Sequence, residues 1–130
     1  PKISDNILKK KNIPVYGNGL QKRDWLFVED HVEALLKLVN SKIKFQTFNI
    51  GTGNEITNIK IIKIIISIME QEYNFTDLKK LIKHVDDRLG HDVRYSIDNK
   101  KFKNQFNWNY KFSIDKGIRK TIKWYMDNHE

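Results

Sequence analysis

The spacing of apolar positions changes several times along the chain, and each spacing predicts a different element. Residues 3–11 are polar and helix-compatible, with Ile3, Ile7 and Leu8 on one side. Ile13-Pro14-Val15-Tyr16 reads as a short strand closed by Gly17-Asn18-Gly19, a cluster that supplies the positive φ of a tight turn. Residues 25–28 form a second extended apolar run. Asp30 is then expected to cap a helix in which Val32, Leu35, Leu36 and Val39 recur at i, i+3, i+4 and i+7. Residues 45–50 alternate well enough for a strand and lead into Gly51-Thr52-Gly53-Asn54.

The most apolar helix is predicted over residues 58–72. Ile59, Ile62, Ile66 and Met69 share one face, while Ile61, Ile64, Ile65 and Ile68 widen it around most of the girth. β-Branched residues lower intrinsic helix propensity, so burial has to hold this segment in place. Residues 81–85 read as a strand, 86–92 as a polar loop, 94–97 as a strand and 99–106 as a short helix. Ser113 is expected to cap the last helix, where Ile114, Ile118, Ile122 and Tyr125 share a face. With no internal repeat and no low-complexity linker, the pattern predicts one α/β unit over residues 1–130.

Composition narrows this picture. A chain of 130 residues fits one domain. Its apolar runs, such as Trp25-Leu26-Phe27-Val28 and Ile64-Ile65-Ile66, are far short of a membrane span. The absence of cysteine excludes a disulfide framework, a thiolate zinc site and a cysteine nucleophile. The first residues lack the apolar stretch of a signal peptide, and the chain does not start with Met, so a processed chain or a piece of something longer is expected. The formal charge is +8, from 24 basic and 16 acidic residues. Lys supplies 20 of the basic residues and Arg four, alongside 18 Ile, 13 Asn and a single Ala. Compositional bias toward A- and T-rich codons gives this profile whatever the function, and is weighed above polyanion binding. A basic nucleic-acid-binding module is the competing reading, but its longest basic run, Lys9-Lys10-Lys11, lacks aromatic neighbours.

Much familiar chemistry is missing. Gly51-x-Gly53 stands between a predicted strand and a helix, yet Ile56 occupies the third glycine position of a dinucleotide fingerprint, so a plain turn is expected. No P-loop is present. None of the five tyrosines is followed four residues later by Lys. The histidines His31, His84, His91 and His129 never pair at i, i+4. Asp86, Asp87, His91 and Asp92 cluster densely, but such loop carboxylates are expected to be solvated or paired rather than to hold a metal. No self-sufficient catalytic apparatus can be read here.

Two blocks stand out instead, residues 14–31 and 85–98. Three of the four arginines, Arg23, Arg88 and Arg94, sit in them. Where Lys is the default cation, an Arg is informative, because its planar fork places two hydrogen bonds on a phosphate or carboxylate. Arg23 and Arg88 could converge on a diphosphate. Equally, each could pair with a neighbouring Asp (Asp24, Asp87 or Asp98) to brace a loop.

At these blocks the sequence resembles the dTDP-glucose 4,6-dehydratases of the extended short-chain dehydrogenases. The family pattern P-(I/V)-Y-G-x-G corresponds to residues 14–19, and R-D-W-L-(Y/F)-V-E-D-H to residues 23–31. Y-N-I-G-G with N-E-x-x-N is similar to residues 48–52 and 54–58, D-R-P-G-H-D-x-R-Y-x-I-D to residues 87–98, and G-I-x-x-T-(V/I)-x-W-Y to residues 117–125. The departures are Phe27 for Tyr, Thr52 for Gly, Leu89 for Pro and Val93 for Arg. Leu89 leaves the loop backbone freer than Pro does.

The resemblance implies a C-terminal, substrate-binding portion whose NAD-binding Rossmann core is missing from this chain. The upstream part would bind NAD and carry the catalytic residues, leaving none here. Carried over residue by residue, Pro14, Val15 and Tyr16 would flank the nucleotide of dTDP-glucose, and Arg23 would meet the diphosphate. Asn58 would hydrogen-bond it near a helix N-terminus, where backbone N–H groups also favour anions. Asp87, Arg88, Leu89, Gly90 and His91 would close over the nucleoside. The resemblance further implies a cytoplasmic homodimer as the full-length protein, bound to neither nucleic acid nor membrane. Another NAD-dependent nucleotide-sugar epimerase or decarboxylase stays open, as does an inactive remnant of a split gene.

Overall fold

The computed structural model describes residues 2–128; His129 lies outside them. In chain order the elements are α1 (Lys2–Leu8), β1 (Ile13–Tyr16), β2 (Lys22–Asp24), α2 (Val28–Val39), β3 (Glu55–Thr57), α3 (Asn58–Glu72), β4 (Ile82–Val85), α4 (Lys100–Phe106) and α5 (Ile114–Asp127). One turn of 3-10 helix, Leu78–Leu81, leads into β4.

The helix α3 is the centre of the fold. It buries Ile61, Ile62, Ile65, Ile66, Ile68 and Met69, so the widened apolar surface is used on more than one side. The main core joins it to Ile7 of α1, Ile13 and Val15 of β1, Leu78 of the 3-10 turn and Ile122 of α5. Each fully buried Ile side chain contributes about 1.5–3 kcal/mol relative to exposure, which holds a helix that β-branching alone disfavours. A second, smaller cluster gathers Ala34, Phe102 and Trp108, with Leu26, Phe48, Ile50 and Phe106 packed against it. Ser113 caps α5 as expected, its Oγ accepting from the Lys116 amide at 3.4 Å.

The strands form two pairs. β1 and β4 run parallel with Ile13 opposite Ile82 and Tyr16 opposite Val85; β2 and β3 are antiparallel with Arg23 opposite Ile56. Two-stranded pairs are marginal alone, and here α3 supports both, packing on β1 and following β3 directly.

Several expected elements differ. Residues 25–28 form no strand: the chain pairs earlier, at β2, and turns at Trp25 into α2. Residues 45–50 also form none. Their alternation places Phe48 and Ile50 against the second cluster, but no described strand lies alongside to pair with their backbone. Residues 94–97 reduce to a single bridge between Lys22 and Arg94. Asp30 does not cap α2, which starts at Val28 after Phe27. It is 1% exposed, and its carboxylate accepts from the Lys111 and Phe112 amides at 2.8 and 3.1 Å, fixing the approach to α5. Finally, α2 buries Ala34, while the stripe Val32, Leu35, Leu36 and Val39 faces outward.

Candidate nucleotide site

The two blocks meet because β1 and β4 pair in register. Tyr16 ends one strand opposite Val85, so the turn 17–19 and the loop 86–92 leave the pair side by side. The Gly17 amide donates to Val85 O at 2.9 Å, and His84 Nδ1 lies 2.7 Å from Gly17 O. Gly17 has φ +55, and a Cβ there would sit 3.0 Å from Asp87 Oδ2. At Gly19, φ +72, a Cβ would lie 2.7 Å from Val15 Cγ1. Only glycine fits these two positions without strain. Further on, the Lys22 amide donates to Val93 O and the Tyr95 amide to Lys22 O, at 2.9 and 3.1 Å, stitching the second half of each block together.

Two adjoining clefts result. The first, of ≈ 210 Å³, is lined by Pro14, Val15, Tyr16, Gln21, Trp25 and Asn58 among others, over the apolar surface of α3. The second, of ≈ 230 Å³, is lined by Arg23, Arg88, Leu89, Gly90, His91, Asp92 and Tyr95. All ten residues singled out from the sequence line one or the other cleft except Asp87, which bonds to two residues of the second, His91 and the Arg88 amide. Tyr16 stands between them: Arg88 lies over its ring, 5.2 Å from the centroid, and His91 meets it edge-on at 6.1 Å.

Neither Arg23 nor Arg88 braces a neighbouring Asp, contrary to one of the two expectations. Arg23 donates to the carbonyls of Lys22 (2.7 Å) and Asp92 (2.9 Å) and stacks on Tyr95 at 4.5 Å. Two of its five N–H groups are thereby used on neutral acceptors. No ion pair to Arg23 or Arg88 forms among the described residues. The nearby carboxylates are engaged otherwise. Asp87 Oδ1 lies 2.5 Å from His91 Nδ1 and accepts from the Arg88 amide at 2.9 Å, while its Oδ2 accepts from Gln21 Nε2 at 2.9 Å. His91 first, and then these amides, hold the Asp87 carboxyl below the usual carboxylate range. Asp92 accepts from the Tyr95 hydroxyl, which raises the pKa of that phenol. The outcome is a cleft in which neither guanidinium is ion-paired, although the Asp92 carboxylate also lines it, leaving both forks open to an anion with several oxygens.

Arg94 behaves differently. It forks onto Glu55, Nε to Oε1 at 2.8 Å and to Oε2 at 2.9 Å, bracing the end of β3. Asn58 lines the first cleft, but the N-terminus of its helix does not offer its leading amides to an anion. The Asn58 amide donates to Gln21 O and the Ile59 amide to Gly19 O, both at 3.0 Å, so the first two amides of α3 are spent on the segment between β1 and β2. Leu89 and Gly90 are fully open to solvent, with Gly90 at φ +69. The sequence reasoning missed Gln21, Trp25 and Tyr95. Trp25 and Tyr95 could have been found as aromatics beside the cleft-forming Arg residues; Gln21 carried no signal beyond its place in the block.

No described residues fit a dinucleotide cofactor. The turn at Gly51-Thr52-Gly53 is filled from within: Asp24 accepts from the Thr52 amide at 3.0 Å and the Gly53 amide at 2.8 Å. A pyrophosphate has no amides left to bind there. Nor do three or more metal-ligating side chains converge among the described residues.

Known proteins resemble this chain over nearly its whole length. The chain is 42% identical to a dTDP-glucose 4,6-dehydratase of Escherichia coli over 135 residues, covering 100% of this chain and 37% of that protein. It is 42% identical to the enzyme of that name from Neisseria meningitidis over 128 residues, 95% of this chain and 36% of the relative. The chain thus spans little more than a third of the curated relatives it matches. Among solved structures, dTDP-glucose 4,6-dehydratase from Bacillus anthracis in complex with NAD superposes with a TM-score of 0.85 at 38% identity, over 98% of this chain and 39% of that one. DesIV from Streptomyces venezuelae, a dTDP-glucose 4,6-dehydratase with NAD and TYD bound, gives 0.87 at 27% identity, over 98% and 38%. A UDP-glucose 4-epimerase from Thermotoga maritima, at 24% identity and a TM-score of 0.85, shares the fold. The sequence model described as GDP-mannose 4,6 dehydratase matches residues 1–121, and the chain belongs to that family.

Proposed function

We propose that this chain is the substrate-binding portion of an NAD-dependent dTDP-glucose 4,6-dehydratase and holds the nucleotide end of the sugar nucleotide. Pro14, Val15, Tyr16 and Asn58 form the floor and wall on which the nucleotide rests. Arg23 and Arg88 take the diphosphate, and residues 87–91 cover it. The observation that carries this reading is the pair of guanidiniums facing one cleft with no carboxylate partner. Binding energy from a remote diphosphate positions a hexose for chemistry performed elsewhere. That chemistry, oxidation at C4, loss of water across C5–C6 and return of hydride to C6, belongs to NAD and to residues outside this chain, since the described residues offer no dinucleotide cradle. The full-length enzyme is a homodimer in this reading. No described helix is long and apolar enough to cross a membrane.

Calorimetric titration of the chain with dTDP, UDP and GDP tests the proposal. The expected result is binding of dTDP ahead of the other two, no turnover of dTDP-glucose with NAD by this chain, and a 4-keto-6-deoxy product from the chain extended upstream. Preference for UDP or GDP would point to an epimerase or decarboxylase of the same fold. Retention on DNA or RNA with steep salt dependence, and no nucleotide binding, would sink it.

A further inference from the structure

We infer that Gln21 is a positioning residue that seats the loop 87–91 over the arginine cleft by acting through Asp87. The inference rests on the nucleotide-site reading and adds to it a residue that touches neither guanidinium.

Gln21 is 6% exposed and stands where the site segments meet. Its backbone carbonyl accepts from the Asn58 amide at 3.0 Å. Its side-chain Nε2 donates to Tyr16 O at 3.2 Å and to Asp87 Oδ2 at 2.9 Å. Both partners are acceptors only, so the amide orientation is set: turned over, its oxygen would face two oxygens. Its Oε1 is buried with no partner. A buried carbonyl without a donor is destabilising, so the stabilising work of this side chain falls on Nε2.

What Nε2 holds is the loop. The bond to Asp87 is the one hydrogen bond that reaches residues 87–91 from elsewhere in the chain, among the described residues. The other bonds in the loop are internal: His91 and the Arg88 amide both meet Asp87 Oδ1, and the His91 amide donates to Arg88 O. Asp87 is therefore a knot that organises Arg88 and His91, and Gln21 fastens the knot to the turn below it. Without that fastening, the loop keeps its internal shape but loses its seat, and Arg88 is no longer presented beside Arg23.

Gln21→Glu keeps the shape of the side chain and sets a second carboxylate against Asp87. Two readouts are taken on the chain: the rate of trypsin cleavage at the Arg88–Leu89 bond without ligand, and the affinity for dTDP. The substitution is expected to speed cleavage roughly tenfold and weaken dTDP by about tenfold, the scale of a hydrogen bond to a charged group. Gln21→Glu combined with Asp87→Asn restores the bond to residue 87 with donor and acceptor exchanged, though not the one to Tyr16 O, and is expected to recover part of both. If Gln21→Glu does not fold, Gln21→Met serves as the single variant, with the same expected losses. Unchanged cleavage and affinity in a folded variant would overturn the role, as would a folded exchange variant no better than the single one. If the unsubstituted chain binds no dTDP, the nucleotide reading fails, and the cleavage rates alone decide whether Gln21 seats the loop.

Discussion

Arg88 and Tyr16 are 72 residues apart in sequence, yet the guanidinium lies over the phenol ring, 5.2 Å from its centroid. Such a contact is electrostatically favourable without neutralising the cation. Arg88 is thus held in place while its charge stays available, and Arg23 achieves the same with two carbonyls and the ring of Tyr95.

Arg23→Gln is expected to weaken dTDP binding roughly 10- to 100-fold, the scale of one charge-assisted contact. Arg23→Lys recovers only part, because a point charge cannot fork onto two oxygens. Thymidine, which lacks phosphates, loses far less. Calorimetry with both ligands checks this, and equal losses for the two would count against a diphosphate role.

Acid sensitivity should centre in part on Glu55. The hydrogen bond from Arg94 lowers its pKa from 4.5 to about 2. A depressed carboxyl contributes stability that is fully present above the unfolded value and lost as pH falls through the folded one. Melting temperatures recorded from pH 6 to 2 are therefore expected to fall below about pH 4.5. Arg94→Gln should lower stability at pH 6 and flatten that part of the decline. Because Asp87 also titrates low, the difference between the two proteins is what isolates Glu55.

Ile66 is 1% exposed at the centre of α3. Ile66→Ala should cost about 2–5 kcal/mol in urea unfolding, from lost burial and the cavity left behind. Lys63→Ala on the solvated side should stay within about 0.5 kcal/mol. Similar costs for both would mean that α3 is not the packing centre described.

The stripe on α2 predicts self-association. Val32, Leu35, Leu36 and Val39 are all exposed, Val39 to 79%, and adjacent apolar residues left in water favour contact with another copy. Sedimentation at rising concentration should show oligomers or aggregates, and Leu36→Lys with Val39→Lys should reduce them. A monomer at every concentration would contradict this.

Much of the fold was legible, for identifiable reasons. The isoleucine spacing over residues 58–72 admits only a helix, and both of its ends match the structure. Ser113 was legible because a hydroxyl before an amphipathic run has one common use. The misread strands share a cause. Alternation in residues 45–50 reports which side chains turn inward, and Phe48 and Ile50 do so, but it carries no information about a partner backbone. The α2 stripe was likewise a correct statement about period and a wrong one about which face is covered. In the site, Arg23 and Arg88 could be picked out because Arg is rare in a Lys-rich chain. The β1–β4 register that joins them is a long-range fact, invisible to local spacing, and so was Gln21, whose role depends on Asp87 arriving from 66 residues away.

That parallel pairing has a temporal consequence. The stretch between Tyr16 and Val85 contains β2, α2, β3 and all of α3, so the two halves of the cleft cannot meet until this long excursion has closed on itself. Non-local pairings of this kind reward the chain only after the loop entropy has been spent. In the order of folding events, the cleft is therefore expected to assemble late, with the closing of β1 on β4. A nucleotide arriving early finds separate arginines and no site.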